Sequence, residues 1–341
     1  MKKIVSLIMV LSIALILGAC GQTENKSSSE EEGQEPTVLK LGTLMTNTSP
    51  EGEAHQYFAD LVEEKSNGQL KVEVYPSEQL GAADTQITNV NMGTQDMLAI
   101  SSTFFKDYDQ RLELSTSPFL FEDYNQFQNF FTGDIGKEIN QNLIDGGIRN
   151  LNTERSFVRG PYRVLLSTKP VKSLEDVKGL KLRVFDSPIY TGGWSHLGAN
   201  PTVIAWTETY LALNQGMADA VTAPISQVKS MNFAEVAPYM TIIDEYPQDV
   251  ITVINEETFQ SLSEEHQQIL IDSANESGIK AEELVMEAAE KDIEIMKEEN
   301  DLQVFEIDNE TWTEAMSSYY DKLVEEGKYE ESLINSIRSA K

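Results

Sequence analysis

The chain has little capacity for thiol or imidazole chemistry, with one cysteine, Cys20, and three histidines in 341 residues. A single thiol excludes an intrachain disulfide and any metal site built from several thiolates. No pair of histidines has metal-binding spacing, and no Walker-type loop, dinucleotide fingerprint or Gly-x-Ser-x-Gly motif is present. We therefore expect no metal and no cofactor. A catalytic function also lacks an evident nucleophile or base.

Basic side chains are scarce as well. The chain has 26 Lys and Arg against 56 Asp and Glu, which gives a formal net charge of −30. The phosphates of nucleic acids and of anionic lipids repel a surface of this charge. We therefore expect no nucleic-acid partner. An anionic ligand would have to be bound by individual arginines rather than by a general positive field.

The N-terminus has the layout of a secretory signal. Residues 4–17 are apolar, follow Lys2 and Lys3, and form a run shorter than the ~20 residues that a transmembrane helix needs. Residues 17–20 read Leu-Gly-Ala-Cys, which resembles the cleavage box of a bacterial lipoprotein, with Cys20 at the position that carries the lipid. We predict a lipoprotein signal peptide over 1–20. A plain signal peptide with an incidental cysteine is the alternative.

The next segment, residues 21–37, is polar, rich in Ser and Glu, and without periodicity. It cannot bury enough apolar surface to offset the entropy of ordering. We predict a disordered tether there. About 300 residues follow, which is enough for two domains.

Strand and helix patterns alternate along these residues. Period-two alternation over 38–42 and 70–74 predicts two half-buried strands, with a helix between them that stops at Asn67-Gly68. Strand–helix–strand order favours an α/β fold. Further predicted elements are a helix over 208–217, strands at 97–100, 220–222, 250–254 and 303–307, and an amphipathic helix of about six turns over 279–296.

One arginine lies inside an apolar strand pattern. Residues 180–185 read Leu-Lys-Leu-Arg-Val-Phe, so Arg183 is predicted on a half-buried strand. A guanidinium is costly to bury unless an anion meets it, and its fork fits a carboxylate with two parallel hydrogen bonds. A structural ion pair and a ligand anchor both satisfy that requirement.

Motifs around Arg183 and along most of the chain occur in a characteristic order. They include Pro-Phe-Leu-Phe at 118–121, Lys-Gly-Leu-Lys-Leu-Arg-Val at 178–184, Leu-Gly-Ala-Asn-Pro at 197–201, Glu-Thr-Tyr-Leu-Ala-Leu at 208–213 and Gly-Met-Ala-Asp at 216–219. In their order and spacing they resemble the solute-binding proteins of TRAP transporters. This family of extracytoplasmic organic-acid receptors includes the four-carbon-dicarboxylate-binding proteins.

The resemblance implies a two-lobed α/β fold of the periplasmic-binding-protein type, with a hinge and a long helix that bridges both lobes. Lobe I would comprise 38–160 and 249–288, and lobe II would comprise 161–248 and 289–341. The implied function is that of a monomeric extracytoplasmic receptor, lipid-anchored to the outer face of the cytoplasmic membrane. It would bind a small organic acid between the lobes and deliver it to the TRAP membrane subunits.

The same resemblance implies a set of ligand-binding residues. Arg183 would bind the ligand carboxylate, and Arg163 would be the auxiliary arginine of the cleft. The remaining candidates lie on loops or element ends expected near the cleft, namely Asn47, His55, Asn200, Trp206 and Ala223. Packing in the protein interior is the alternative for His55 and Trp206.

Two departures from the family pattern bear on the ligand. The family commonly has Asp-Gly-x-Glu-Asn-Pro where this chain has Asp-Ala-Val-Thr-Ala-Pro at 219–224, so Ala223 replaces the amide that contacts the ligand. Thr85 and Thr88 stand where an acidic residue is frequent. Both changes remove polar contacts to the distal end of a ligand. We therefore expect a sugar acid or a hydroxy or keto monocarboxylate, with a dicarboxylate as the alternative.

Two other classes of protein stay open from the sequence. One is an exported enzyme that acts on small acids. The other is an ABC-type binding protein, which has a similar two-lobed shape but a different order of strands.

Overall fold

Two β-sheets organise the chain in the structure, a computed structural model that describes residues 35–160 and 163–339. The predicted signal peptide with Cys20, and residues 21–34 of the predicted tether, lie outside the described residues. Within the described ranges, no helix combines the length and the apolar character needed to cross a bilayer.

The structure has strands at the positions predicted from the sequence and four more at 148–150, 163–167, 200–203 and 239–242. They are β1 (Thr37–Thr43), β2 (Leu70–Tyr75), β3 (Met97–Ile100), β4 (Ile148–Asn150), β5 (Arg163–Ser167), β6 (Lys181–Val184), β7 (Asn200–Val203), β8 (Ala220–Pro224), β9 (Tyr239–Ile242), β10 (Ile251–Asn255) and β11 (Gln303–Glu306).

Helices alternate with these strands, which confirms the predicted α/β class. They are α1 (Pro50–Lys65), α2 (Ala83–Asn91), α3 (Tyr124–Thr132), α4 (Asp134–Asp145), α5 (Leu174–Val177), α6 (Pro188–His196), α7 (Thr209–Asn214), α8 (Ile225–Ser230), α9 (Glu256–Ser261), α10 (Glu264–Asn300), α11 (Asn309–Glu325) and α12 (Glu331–Ser339). Short 3₁₀ turns cover Ser102–Phe105, Gln110–Thr116, Trp206–Glu208 and Phe233–Glu235.

The two sheets have different strand orders. The first is β2-β1-β3-β10-β4, in which β1 is parallel to β2 and β3, and β10 is antiparallel to β3 and β4. The second is β11-β9-β5-β8-β6-β7, in which β6 is parallel to β7 and β8, and β5 is antiparallel to β8 and β9. Parallel neighbours bring the loops after their carboxyl ends to one edge of each sheet.

The two sheets confirm the predicted two-lobed fold. A large apolar cluster contains buried residues of both sheets, such as Leu98 of β3 and Leu182 of β6, and each sheet also has a separate cluster. The core of lobe I, built on the first sheet, includes Leu39, Leu41 and Ile254. The core of lobe II, built on the second sheet, includes Val164 and Met240. The predicted lobe boundaries at 160/161, 248/249 and 288/289 fall between strands of different sheets, and the exact division stays a prediction.

Helix α10 contacts both lobes, because it packs against α1 of lobe I and α8 of lobe II. Its 37 residues make the prediction of six turns wrong. The part that the sequence missed is buried through small residues, including Ser273, Ala274 and Gly278, which give no hydrophobic periodicity. A Cβ on Gly278 would lie 2.7 Å from the backbone nitrogen of Phe157, so this close approach requires glycine.

Two further points concern a predicted helix of lobe II and a tryptophan of α11. The helix predicted over 208–217 is shorter, since Trp206–Glu208 forms a 3₁₀ turn and α7 ends before Gly216, which has a φ of +70°. Trp312 on α11 is buried and packs edge-on against Trp194 of α6 at a ring distance of 6.1 Å. Trp312 therefore contributes to the packing between α6 and α11.

Candidate functional site

A cavity of about 50 Å³ lies where loops from the two lobes meet. Most of its lining follows strand ends. Lobe I supplies Leu44 and Met45 after β1 and Thr103 and Phe104 after β3, and lobe II supplies Phe185 after β6, Trp206 after β7, Pro224 at the end of β8 and Gln227 on α8. Three arginines, Arg159, Arg163 and Arg183, and Gln248 complete it. A larger concavity of about 680 Å³ along α8 and α10 is open at the surface and contains no arginine.

The β1–α1 loop contributes to the cavity, and the cap at the start of α1 fixes the conformation of this loop. Ser49 accepts a hydrogen bond from the Gly52 backbone N–H at 3.1 Å, and Pro50 follows in the first turn. The Ser49 hydroxyl also donates to the Thr46 carbonyl at 2.7 Å. A Cβ at Gly52 would lie 2.1 Å from that carbonyl, so glycine permits the loop to fold back against the helix.

Arg183 is a buried cation that has no counterion among the described residues. It lies on β6 between β7 and β8 and is 5% exposed. Its Nε donates to the Ile204 carbonyl at 2.9 Å, and its Cζ lies 5.3 Å from the centroid of the Trp206 ring. No carboxylate of the described residues forms an ion pair with it, so the structural ion pair left open by the sequence is absent there. Burial is the main reason that the pKa of Arg183 is lowered to about 10. Tyr190 opposes this shift, and the charge of Arg163 adds to it.

Arg163 is buried to the same extent but is fully paired. Its Nε donates to Glu245 at 2.6 Å, and its two Nη atoms donate to the side chains of Gln248 and Thr222. Burial works to lower the pKa of Arg163, but Tyr246 and Glu245 raise it overall. Its guanidinium is therefore held at the cavity by its own carboxylate partner.

Glu245 is shared among several donors. Besides Arg163, it accepts hydrogen bonds from the Tyr190 hydroxyl at 3.0 Å and the Trp194 indole at 3.1 Å. Burial is the main reason that the pKa of Tyr190 is raised, so this phenol stays protonated and acts as a donor. The network fixes the position of Glu245 and, through it, of Arg163.

Arg159 forms a second buried pair that the sequence did not predict. Its Nε and Nη2 donate to the two oxygens of Glu51 at 2.6 and 2.9 Å. Burial alone would raise the pKa of Glu51, but Arg159 and His55 lower it to about 2. Gln227 of lobe II also lies 3.4 Å from Glu51. In the sequence, the apolar residues around Arg159 indicate a buried arginine. Nothing distinguishes Glu51, its partner, from the many other acidic residues.

The other predicted site residues differ in position. Trp206 lines the cavity, and its indole N–H has no acceptor among the described residues. Four candidates are absent from the lining, for different reasons. Asn47 and Asn200 are exposed, Ala223 is buried in the core of lobe II, and the buried His55 lies 3.5 Å from Glu51 and packs on Phe157.

The cavity also contains residues that the sequence analysis missed. Phe185 lies two positions after Arg183, so the period-two alternation of a strand places both side chains on one face. Its ring is 6.0 Å from that of Phe104 of lobe I. In the described part of the chain, no cluster of His, Cys, Asp and Glu could hold a metal ion.

Comparisons with known proteins agree on one group. A family model described as DctP, bacterial extracellular solute-binding protein, family 7, matches residues 41–327. The 2,3-diketo-L-gulonate-binding periplasmic protein YiaO of Escherichia coli is 31% identical over 280 residues, which cover 82% of this chain and 84% of YiaO. The C4-dicarboxylate-binding periplasmic protein DctP of Rhodobacter capsulatus is 27% identical over 295 residues, which cover 85% of this chain and 87% of that protein.

A solved structure shows the same similarity in three dimensions. It is a TRAP periplasmic solute-binding protein from Ochrobacterium anthropi with bound L-fuconate. The TM-score is 0.82 at 27% sequence identity, and the match covers 89% of this chain and 99% of that chain.

Proposed function

The chain belongs to the DctP family of extracellular solute-binding proteins, the receptors of TRAP transporters, and we propose that it binds a small organic acid through a carboxylate on Arg183. The ligand would lie in the cavity between the lobes and would be delivered to the membrane subunits. The proposed ligand is a sugar acid or a hydroxy or keto monocarboxylate.

The observation that carries this proposal is the guanidinium of Arg183, which no carboxylate of residues 35–160 and 163–339 pairs with. A buried charge without a partner costs several kcal/mol, and a carboxylate in the cavity would offset that cost with charge-assisted hydrogen bonds. Arg159 and Arg163 carry no such deficit because Glu51 and Glu245 already pair with them. Trp206 adds a flat apolar face beside Arg183.

Closure of the lobes over the ligand follows from linkage. A ligand on Arg183 of lobe II would also contact Thr103 and Phe104 of lobe I, because these residues line the same cavity. Such a ligand favours the closed arrangement by its difference in affinity for the closed and open states. The receptor would thus present a distinct shape to the membrane subunits when it is loaded.

The similar proteins support the class of ligand. The E. coli relative is named for binding 2,3-diketo-L-gulonate, the O. anthropi structure holds L-fuconate, and the R. capsulatus relative is named for binding C4-dicarboxylates. All three ligands are small organic acids. The last one keeps a dicarboxylate as the second candidate.

The remaining parts of the proposal concern location and assembly. We propose a receptor without catalytic activity that is exported, carries lipid on Cys20 and functions as a monomer. The apolar run over 4–17 and the Leu-Gly-Ala-Cys box support export and lipid attachment. Four residues outside the lining stay candidates for ligand contact when the lobes are closed to a different degree, namely Asn47, His55, Asn200 and Ala223.

A thermal-shift screen with a library of organic acids tests the proposal. An acid present at a thousandfold above its dissociation constant stabilises the protein by about 4 kcal/mol. We expect at least one carboxylic acid to raise the melting temperature of the wild type and to have no effect on Arg183→Ala. Arg149→Ala is the matched control, because Arg149 pairs with Glu256 away from the cavity. A library without any active acid, or an equal shift in Arg183→Ala, would contradict the proposal.

A further inference from the structure

The three arginines of the cavity differ in the number of carboxylates that they already have. Arg159 is held by Glu51 through two hydrogen bonds, and Arg163 is held by Glu245. Only Arg183 lacks a carboxylate among the described residues. The cavity can therefore neutralise the charge of one added carboxylate, although three arginines line it.

The walls around Arg183 are mostly apolar. They are formed by Leu44, Met45, Phe104, Phe185, Trp206 and Pro224. A body of carbon and hydrogen gains free energy by contact with such walls, whereas hydroxyl groups placed against them lose their hydrogen bonds to water.

Polar groups in the lining are few and most are already engaged, while the indole N–H of Trp206 has no acceptor among the described residues. Thr103 shares a hydrogen bond with Thr116 at 3.1 Å, and the Gln248 side-chain oxygen accepts from Arg163. Gln227 contacts Glu51 and Ser230 through its side-chain amide. These groups can meet one polar substituent next to the carboxylate, but they cannot satisfy the several hydroxyls of a sugar acid.

The size of the cavity points in the same direction. Its volume is about 50 Å³. On this measure one water molecule takes roughly 10–15 Å³, so the space favours the shorter of two acids that carry the same carboxylate.

We propose that the site is selective for a short monocarboxylate with an apolar body and a single oxo or hydroxyl group beside the carboxylate. Glu51 contributes to specificity because it pairs with Arg159. Arg159 is then not available to bind a second carboxylate of a ligand. This inference rests on the proposed function and narrows its ligand class, since it disfavours both sugar acids and dicarboxylates.

Three five-carbon acids form a matched test. They are 2-oxopentanoate, with one carboxylate and an apolar body, 2-oxoglutarate, with a second carboxylate, and ribonate, with a hydroxylated body. Calorimetric titration of the wild type is expected to give the tightest binding for 2-oxopentanoate, by about tenfold or more over each of the others. Equal or tighter binding of ribonate or 2-oxoglutarate overturns the inference, and so does a lack of binding by all three.

The variant Glu51→Gln tests the specificity role. It frees Arg159 to meet a second carboxylate, so the preference for 2-oxopentanoate over 2-oxoglutarate is expected to fall by about tenfold. Glu256→Gln is the matched control, because Glu256 holds Arg149 with the same two-bond geometry outside the cavity. An unchanged preference in folded Glu51→Gln overturns the role of Glu51. Should that variant not fold, the ranking of the three acids by the wild type still decides the ligand class.

These outcomes separate the inference from the proposed function. If ribonate or 2-oxoglutarate binds best and Arg183→Ala abolishes that binding, the inference fails and the proposed function holds. If acids bind equally well without Arg183, the proposed function itself fails.

Discussion

Arg163 and Arg183 are equally buried on the sheet of lobe II, yet the described part of the chain supplies a carboxylate partner for Arg163 and none for Arg183. The shift of the Arg183 pKa from 12.5 to about 10 corresponds to roughly 3 kcal/mol of destabilisation. The hydrogen bond to Ile204 and the contact with Trp206 offset part of that cost, at about 1 kcal/mol each. The unliganded protein therefore holds Arg183 at a net cost, which a bound carboxylate removes.

Two matched substitutions test this difference between the arginines. Arg183→Met removes the unpaired charge while keeping the volume, and we expect the unliganded protein to gain about 1 kcal/mol. Arg163→Met leaves Glu245 buried without its cation, and we expect a loss of about 3–5 kcal/mol. Urea unfolding of both variants without ligand measures these values. Equal destabilisation by the two substitutions would show that Arg183 has a structural partner.

At the scale of elements, the pair of Glu51 and Arg159 joins the start of α1 to the segment after β4. Lobe II also contacts this pair through Gln227 on α8. The pair thus connects structural elements. Its carboxylate also takes up the charge of an arginine that lines the cavity.

The pair makes stability depend on pH in a defined window. The pKa of Glu51 is lowered from 4.5 to about 2, so its contribution is present above pH 4.5 and is lost as the pH falls toward 2. The shift corresponds to about 3 kcal/mol. We expect the unfolding free energy of the wild type to fall by about this amount more than that of Glu51→Gln over the window.

Urea unfolding of both proteins at several pH values gives this comparison. Glu256→Gln is again the control, because the pKa of Glu256 is lowered as well but the group is only partly buried. Parallel pH profiles for the wild type and Glu51→Gln would contradict the role given to the pair.

At the scale of the whole molecule, the sequence predicted the two-lobed fold but only part of the elements. Period-two alternation located β1 and β2, because apolar and polar residues alternate on half-buried strands, and a short apolar run located the buried β3. The length of α10 was missed, since small residues such as Ala274 and Gly278 allow close packing without an apolar periodicity. Local sequence carries little information about contacts of this kind.

The candidate site was predicted in part. Arg183 carried a strong local signal as a charge within a strand, whereas Phe185, just after that strand, was not predicted as a site residue. The pairs of Arg159 with Glu51 and of Arg163 with Glu245 join residues 108 and 82 positions apart. Such long-range partners cannot be identified by spacing in a chain with 56 acidic residues, and they decide which arginine is free.

Calorimetric titration of the tightest-binding acid into Arg183→Ala and Arg183→Lys tests the central claim most directly. Removing one partner of a desolvated charge pair costs about 2–5 kcal/mol, so Arg183→Ala is expected to bind some thirty- to several-thousandfold more weakly than the wild type. Arg183→Lys keeps the charge but loses the fork, and we expect it to bind weakly as well. Near-normal affinity in a folded Arg183→Ala would contradict the account.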